Sequence, residues 1–184
     1  MKKVIISVLG EDRPGIIAAV SRILFDQNCN IENVSQTILQ SEFGGMFIVS
    51  MPSELSAQAL SEHLKAGLEP LGLNAYLKDM IQTSPNSGVA DAEPFVITTR
   101  GPDRKGLVAH ITQVIARHSV NVTNLQAVFK GGNDPDKNIM IYEVDIPKDT
   151  DQQQLCTELR QRAEELGLSL SIQHRNIFEA INRI

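Results

Sequence analysis

The sequence predicts an α+β fold built twice: two βαββαβ units, each a four-stranded antiparallel sheet with two helices on one face. The first observation is internal repetition, since Val4 to Ile38 overlays Phe95 to Phe129 at a constant offset of 91 residues without a gap. Within that block Gly10, Asp12, Arg13, Gly15, Ala18, Asn30 and Asn33 recur as Gly101, Asp103, Arg104, Gly106, Ala109, Asn121 and Asn124. The second is that Leu71-Gly72-Leu73 recurs as Leu166-Gly167-Leu168 at an offset of 95, which leaves four extra residues between the two blocks. The third is periodicity, because β-branched runs and segments of helical spacing follow one another in the same order in both copies.

Each copy opens on an apolar run, Lys3–Leu9 or Phe95–Thr99, short and sharply bounded as a buried strand should be. The loop Gly10-Glu11-Asp12-Arg13-Pro14-Gly15, or Gly101-Pro102-Asp103-Arg104-Lys105-Gly106, follows directly. Ile16, Ile17, Val20, Ile23 and Leu24 then recur at helical spacing, as do Leu107, Val108, Ile111, Val114 and Ile115. Asp12 and Asp103 stand where a side-chain acceptor would cap these helices, and Pro14 fits an early helical turn because its missing N–H costs nothing there.

The helices should stop near Asn28 and Ser119, and the second strands run over Asn30–Gln40 and Asn121–Phe129. Ser41-Glu42-Phe43-Gly44-Gly45 makes a short glycine-rich turn in the first copy, and Lys130–Asn138 a longer one in the second. The third strands, Met46–Met51 and Ile139–Ile146, end at Pro52 and Pro147. Leu60, Leu64, Leu68 and Leu71 mark a second helix, matched by Leu155, Leu159, Ala163 and Leu166, and Gly72 or Gly167 stops it. Leu73–Lys78 and Leu168–His174 complete the units, an arrangement of the ferredoxin-like kind. The expected domains are therefore residues 1–81 and 95–175, joined by a Pro-, Gly- and Ser-containing linker at 82–94. The tail 176–184, with Ile177, Phe178, Ile181 and Ile184 at roughly helical spacing, reads as a short docking helix or an oligomer contact.

Charge and composition narrow the partners. The 17 basic and 22 acidic residues give a formal charge of −5, distributed as −3, −2 and zero over residues 1–81, 82–94 and 95–184. That balance disfavours binding to a phosphate backbone, so no direct nucleic-acid contact is expected. No apolar run is long enough to span a bilayer, and the opening Val4–Leu9 run is too short for a secretory h-region, so no membrane partner is expected and a cytoplasmic location is favoured. Cys29 and Cys156 fall in different halves and read as reduced thiols.

Catalytic patterns are absent from the sequence. His63, His110, His118 and His174 have no metal-ligand spacing, and no nucleophile elbow, Walker sequence or dinucleotide fingerprint occurs, so neither an enzyme nor a cofactor is expected. The two loops offer binding chemistry instead, because free N–H groups at a helix start hold a carboxylate and glycine lets a ligand approach the backbone. A purely structural account fits the loop alone equally well, with the glycines shaping a turn, Asp12 capping and Arg13 in solvent.

The run L-G-x-D-R-P-G-I, followed after one helix by N-x-N-I at Asn28–Ile31, resembles the opening of an ACT domain, and the duplicated βαββαβ order resembles the same family. That resemblance implies binding of amino acids or other small metabolites at domain interfaces, through the first loop and the start of the second strand. It points to Gly10, Asp12 and Asn30, with Arg13, Pro14 and Gly15 in the same loop, and to Gly101, Asp103, Arg104, Gly106 and Asn121 in the second copy. Serine-sensing members have His and Asn where this chain has Gly10 and Asp12, so their side-chain contacts do not transfer. A stand-alone ACT pair with this loop is similar to the glycine cleavage system transcriptional repressor group. The similarity implies a non-catalytic regulator that senses a small amino acid, glycine among the candidates, and acts through a protein partner such as a transcription factor. Two alternatives remain: a structural module that docks on a metabolic enzyme or forms a homodimer, and a relative of formyltetrahydrofolate deformylase.

Overall fold

The computed structural model describes residues 2–80, 91–128 and 138–177. The chain divides into two compact units, Met1–Thr83 and Ser84–Ile184. The first contains β1 (Lys2–Glu11), α1 (Ile16–Asp26), β2 (Asn30–Leu39), β3 (Glu42–Met51), α2 (Ala57–Leu68) and β4 (Asn74–Asp79). The second repeats the order with β5 (Ala92–Arg100), α3 (Leu107–Arg117), β6 (Asn121–Val128), β7 (Ile139–Pro147), α4 (Gln152–Glu165) and β8 (Ser169–His174). The sheets run β2-β3-β1-β4 and β6-β7-β5-β8, with every neighbouring pair antiparallel. Both units are thus ferredoxin-like, as the sequence predicts.

Alternation decides which face is covered. Val4, Ile6 and Val8 of β1 and Phe47, Val49 and Met51 of β3 point to one side, where they meet Ile16, Val20 and Leu24 of α1 and Leu60, Leu64 and Leu68 of α2. The i, i+4 spacing on both helices buries a single stripe, and each fully buried leucine or isoleucine contributes about 1.5–3 kcal/mol. The second core has the same plan, with Ile97, Tyr142 and Val144 under Leu107, Ile111, Val114 and Ile115 of α3 and Leu155, Leu159 and Ala163 of α4.

Helix ends follow local chemistry. Ser56 caps α2 by accepting the Ala59 N–H at 3.0 Å, and Asp151 caps α4 by accepting the Gln154 N–H at 2.9 Å. α1 and α3 end in paired turns in which the Cys29 and Val120 N–H groups return to the Leu24 and Ile115 carbonyls, at 2.9 and 3.3 Å. The residues between, Asn28 and Ser119, take the left-handed conformation with φ of 53° and 56°. Both helices stop where the sequence predicts.

Three expectations are corrected. Gly44 and Gly45 belong to β3, because the hairpin turns on Gln40 and Ser41 alone, and Phe43 is a core residue. The reason is packing, since a Cβ on Gly45 would lie 2.7 Å from Phe43 Cζ, so glycine here makes room for a ring rather than a bend. Ala92, Glu93 and Pro94 of the expected linker lie in β5. There β5 pairs only with β7, as pairing with β8 begins at Phe95, and a proline is tolerated on such an edge. The third is Asp12 and Asp103: α1 and α3 have no side-chain cap, and Gly15 and Gly106 hold the N-cap position with φ of 97° and 89°. Pro14 consequently lies in the turn before α1. Most of the expected tail helix lies outside the described residues, as do Phe129 and most of the long connection at 130–138. Among the described residues no helix is long and apolar enough to cross a membrane.

Candidate functional site

β1 runs on through Gly10 to Glu11, still paired with β3, and the chain then turns over Asp12–Gly15 into α1. The Asp12 N–H is held by the Ser41 carbonyl at 2.7 Å, which leaves the carboxylate exposed. The first intrahelical bond of α1 is from the Ala19 N–H to the Gly15 carbonyl at 2.9 Å, so the N–H groups of Ile16, Ile17 and Ala18 have no acceptor within the helix. With no side-chain cap, these donors and the positive end of α1 face the groove beside the loop.

That groove has a volume of about 460 Å³ and is lined by Asp12, Arg13 and Gly15 of the loop, Ile16, Ile17 and Ala18 of α1, Gln36 of β2 and Phe43 of β3. A second recess of about 410 Å³ lies on the other side of the loop, between Glu11, Asp12 and Arg13 and the turn Pro70-Leu71-Gly72. Arg13 lines both. An exposed guanidinium beside three N–H groups without an acceptor in the helix suits a carboxylate, and Ile17 and Phe43 offer an apolar wall next to it.

Three of the six residues expected in the first copy, Asp12, Arg13 and Gly15, line this groove. Gly10 does not, because its α-carbon is closed off by the Gly72 carbonyl and the Leu73 side chain, which would lie 2.8 and 2.7 Å from an added Cβ. Its glycine serves close packing of the loop on the turn after α2. Gly15 differs, since an added Cβ would meet nothing within 4 Å and only its positive φ demands glycine.

Asn30 is not brought to the loop of its own unit. It pairs with Ser50, which lies opposite Lys3, whereas Phe43 lies opposite Gly10 at the far end of β1. Seven strand residues at about 3.4 Å each separate the two ends by roughly 24 Å, too far for one small ligand to touch both. Asn121 repeats this, pairing with Asp145 opposite Pro94 while the Gly101 N–H donates to the Asn138 carbonyl at 3.3 Å.

The second loop has the same backbone and different surroundings. Leu107, Val108 and Ala109 begin α3 without a side-chain cap, and the His110 N–H closes the first turn on the Gly106 carbonyl at 2.9 Å. The His110 ring stands 3.5 Å from where a Gly106 Cβ would be, and Arg104 Nη2 lies 3.9 Å from the corresponding point on Gly167. Asp103, Arg104, Lys105 and Gly106 are exposed, and Gly101 is buried against the Gly167 carbonyl as Gly10 is against Gly72.

Gln36 and Phe43 escaped the sequence reading. Val34, Gln36 and Ile38 alternate on the helix-facing side of β2, so a polar residue between two apolar ones was the available signal for Gln36. Phe43 was hidden by the adjacent glycines.

Comparison with known proteins matches the ACT domain family to residues 2–77 and 93–173. A UPF0237 protein of Methanococcus maripaludis is 36% identical over 93 residues, which is 50% of this chain and 99% of that protein. A UPF0237 protein of Methanopyrus kandleri is 35% identical over 79 residues, 42% of this chain and 88% of that one. Among solved structures, an unknown protein from Galdieria sulphuraria superposes with a TM-score of 0.75 at 23% identity, covering 94% of this chain and 98% of its own. A candidate glycine cleavage system transcriptional repressor superposes with a TM-score of 0.64 at 21% identity, covering 94% and 96%. At these identities the likeness is one of fold.

Proposed function

Because this chain belongs to the ACT domain family in both of its units, we propose that it is a non-catalytic regulatory protein that binds a small amino acid and acts through a protein partner. The observation that carries the reading is the groove beside the first loop, where the uncapped start of α1 and the Arg13 guanidinium meet an apolar wall. A free amino acid presents a carboxylate for the helix start and the guanidinium, and any amino acid larger than glycine also presents a side chain for the wall. Glycine cleavage is the process proposed to be regulated, supported by the duplicated domain, by the D-R-P-G loop and by fold likeness along nearly the whole chain to a candidate repressor of that system. With a formal charge of −5, the chain is better suited to a transcription factor than to DNA as its immediate partner.

The chemistry sets a ceiling on affinity. Glycine has only about five heavy atoms, and at most about 1.5 kcal/mol per atom allows a dissociation constant no tighter than the low micromolar range. Calorimetry and thermal melting of the purified chain against a panel of amino acids test the reading. Heat and a rise in melting temperature at micromolar to millimolar concentrations of one or a few of them are expected. No response across the panel would remove the sensing role, and deformylase activity in the purified chain would overturn its non-catalytic character.

A further inference from the structure

The duplication supplies a control for every position, and two core positions under the loops have changed character together. Val8 and Phe43 of the first unit become Thr99 and Asn138 in the second, both almost completely buried, at 0% and 3% exposure. Among the described residues neither Thr99 Oγ1 nor Asn138 Oδ1 has a hydrogen-bond partner. Orphaned oxygens of this kind cost about 1–3 kcal/mol each, and a structure keeps few of them.

The exchange is compensated in volume, which marks it as an alternative packing. In the first unit the Phe43 ring lies over Gly45; in the second, Met140 stands where Gly45 does and Asn138 where Phe43 does. The methionine fills core space that the phenylalanine ring would take, and the position beside the loop becomes polar. Register puts it in the right place. Asn138 lies opposite Gly101 and Thr99 opposite Met140, so both side chains are on the helix-facing side of the sheet. Phe43, the counterpart of Asn138, lines the groove with the first three residues of α1, so Asn138 takes the equivalent register position beside the loop that leads into α3, and Thr99 is the next residue of β5 on the same face.

We infer that Thr99 and Asn138 form a subsite in the second unit that accepts the ammonium group of a small α-amino acid whose carboxylate takes the free N–H groups of Leu107, Val108 and Ala109. It rests on the amino-acid reading above and deepens it by making the two loops unequal. The second unit recognises the charged amine through two buried oxygens, whereas the first has Val8 and Phe43 at those two positions.

Calorimetry of the full chain with alanine and with propionate, which is alanine without its amine, reads the subsite directly. In the wild-type chain alanine should bind roughly ten- to a hundredfold more tightly than propionate, the ratio expected for hydrogen bonds to a charged group. The near-isosteric double variant Thr99→Val with Asn138→Leu should lose that ratio while melting at the same or a higher temperature, because it also removes two unsatisfied buried oxygens. If the wild-type chain binds amino acids and the variant keeps the full preference for alanine, the subsite is wrong and the sensing role stands. If the variant melts lower and keeps the preference, the two oxygens hold a structural water only, which also overturns the subsite. If no amino acid binds the wild-type chain, both readings fall.

Discussion

The carbonyl oxygen of Gly167 occupies the space in which any side chain on Gly101 would begin, 2.8 Å from an ideal Cβ, and Gly72 stands in the same relation to Gly10. Each loop is thereby clamped to the turn that ends the second helix of its unit. Gly101→Ala should destabilise the second unit by about 1–3 kcal/mol, as overpacking of a closed contact does. A lower urea midpoint with an unchanged slope is the expected observation, and a midpoint at the wild-type value would mean that the turn yields freely.

Asp12 does not cap α1, whose N-cap position is held by Gly15. Asp12→Ala should therefore change stability by no more than about 0.5 kcal/mol, the range of an ordinary surface substitution. Loss of a real N-cap would cost about 0.5–2 kcal/mol. Thermal and urea denaturation of the variant separate the two, and a drop in the upper half of that range would restore the cap.

Ser119 holds the left-handed position after α3 at a φ of 56°, where its counterpart in the first unit is Asn28 at 53°. The Cβ of either residue crowds the following carbonyl, but asparagine visits this region more readily than serine because its short amide side chain hydrogen-bonds locally. Ser119→Gly should raise stability by about 0.5–1 kcal/mol, after the extra freedom that glycine gives the unfolded chain is counted. The smaller gain is expected for Asn28→Gly, and a reversed order would contradict this account of the two turns.

Tyr142 stands where the first unit has Phe47, and burial pushes its phenol from 10.0 up to about 12. The folded state favours the neutral ring, so this stabilisation is complete below about pH 10 and is lost as pH rises toward about 12, by roughly 2–3 kcal/mol. Its hydroxyl donates to Met140 Sδ, at 3.4 Å. Tyr142→Phe should leave neutral-pH stability within about 1 kcal/mol of wild type and flatten the alkaline loss. Melting curves between pH 8 and about 11 check this, and an unaltered alkaline slope in the variant would place the titrating group elsewhere.

The fold was legible because two independent signals agreed: the repeat aligned the elements, and periodicity named each one. Val20 and Leu24, or Leu60 and Leu64, could only be buried stripes. The site was less legible because it depends on what contacts a glycine, and composition cannot show that. Gly10, Gly15 and Gly45 look alike in the sequence, yet one is closed by a carbonyl, one is required by its φ and one makes room for a phenyl ring. Family resemblance joins Asn30 to Asp12, whereas pairing within one sheet sets them at opposite ends of β1.

The most direct test of the central claim is a nuclear magnetic resonance titration of the isotopically labelled chain with glycine and other small amino acids. Binding at the uncapped helix starts should move the amide signals of Ile16–Ala18, of Leu107–Ala109, or of both, and leave those at the opposite sheet ends near Asn30 and Asn121 comparatively still. Amide shifts centred away from both loops, or none at millimolar amino acid, would contradict the assignment of these loops as the sensing site.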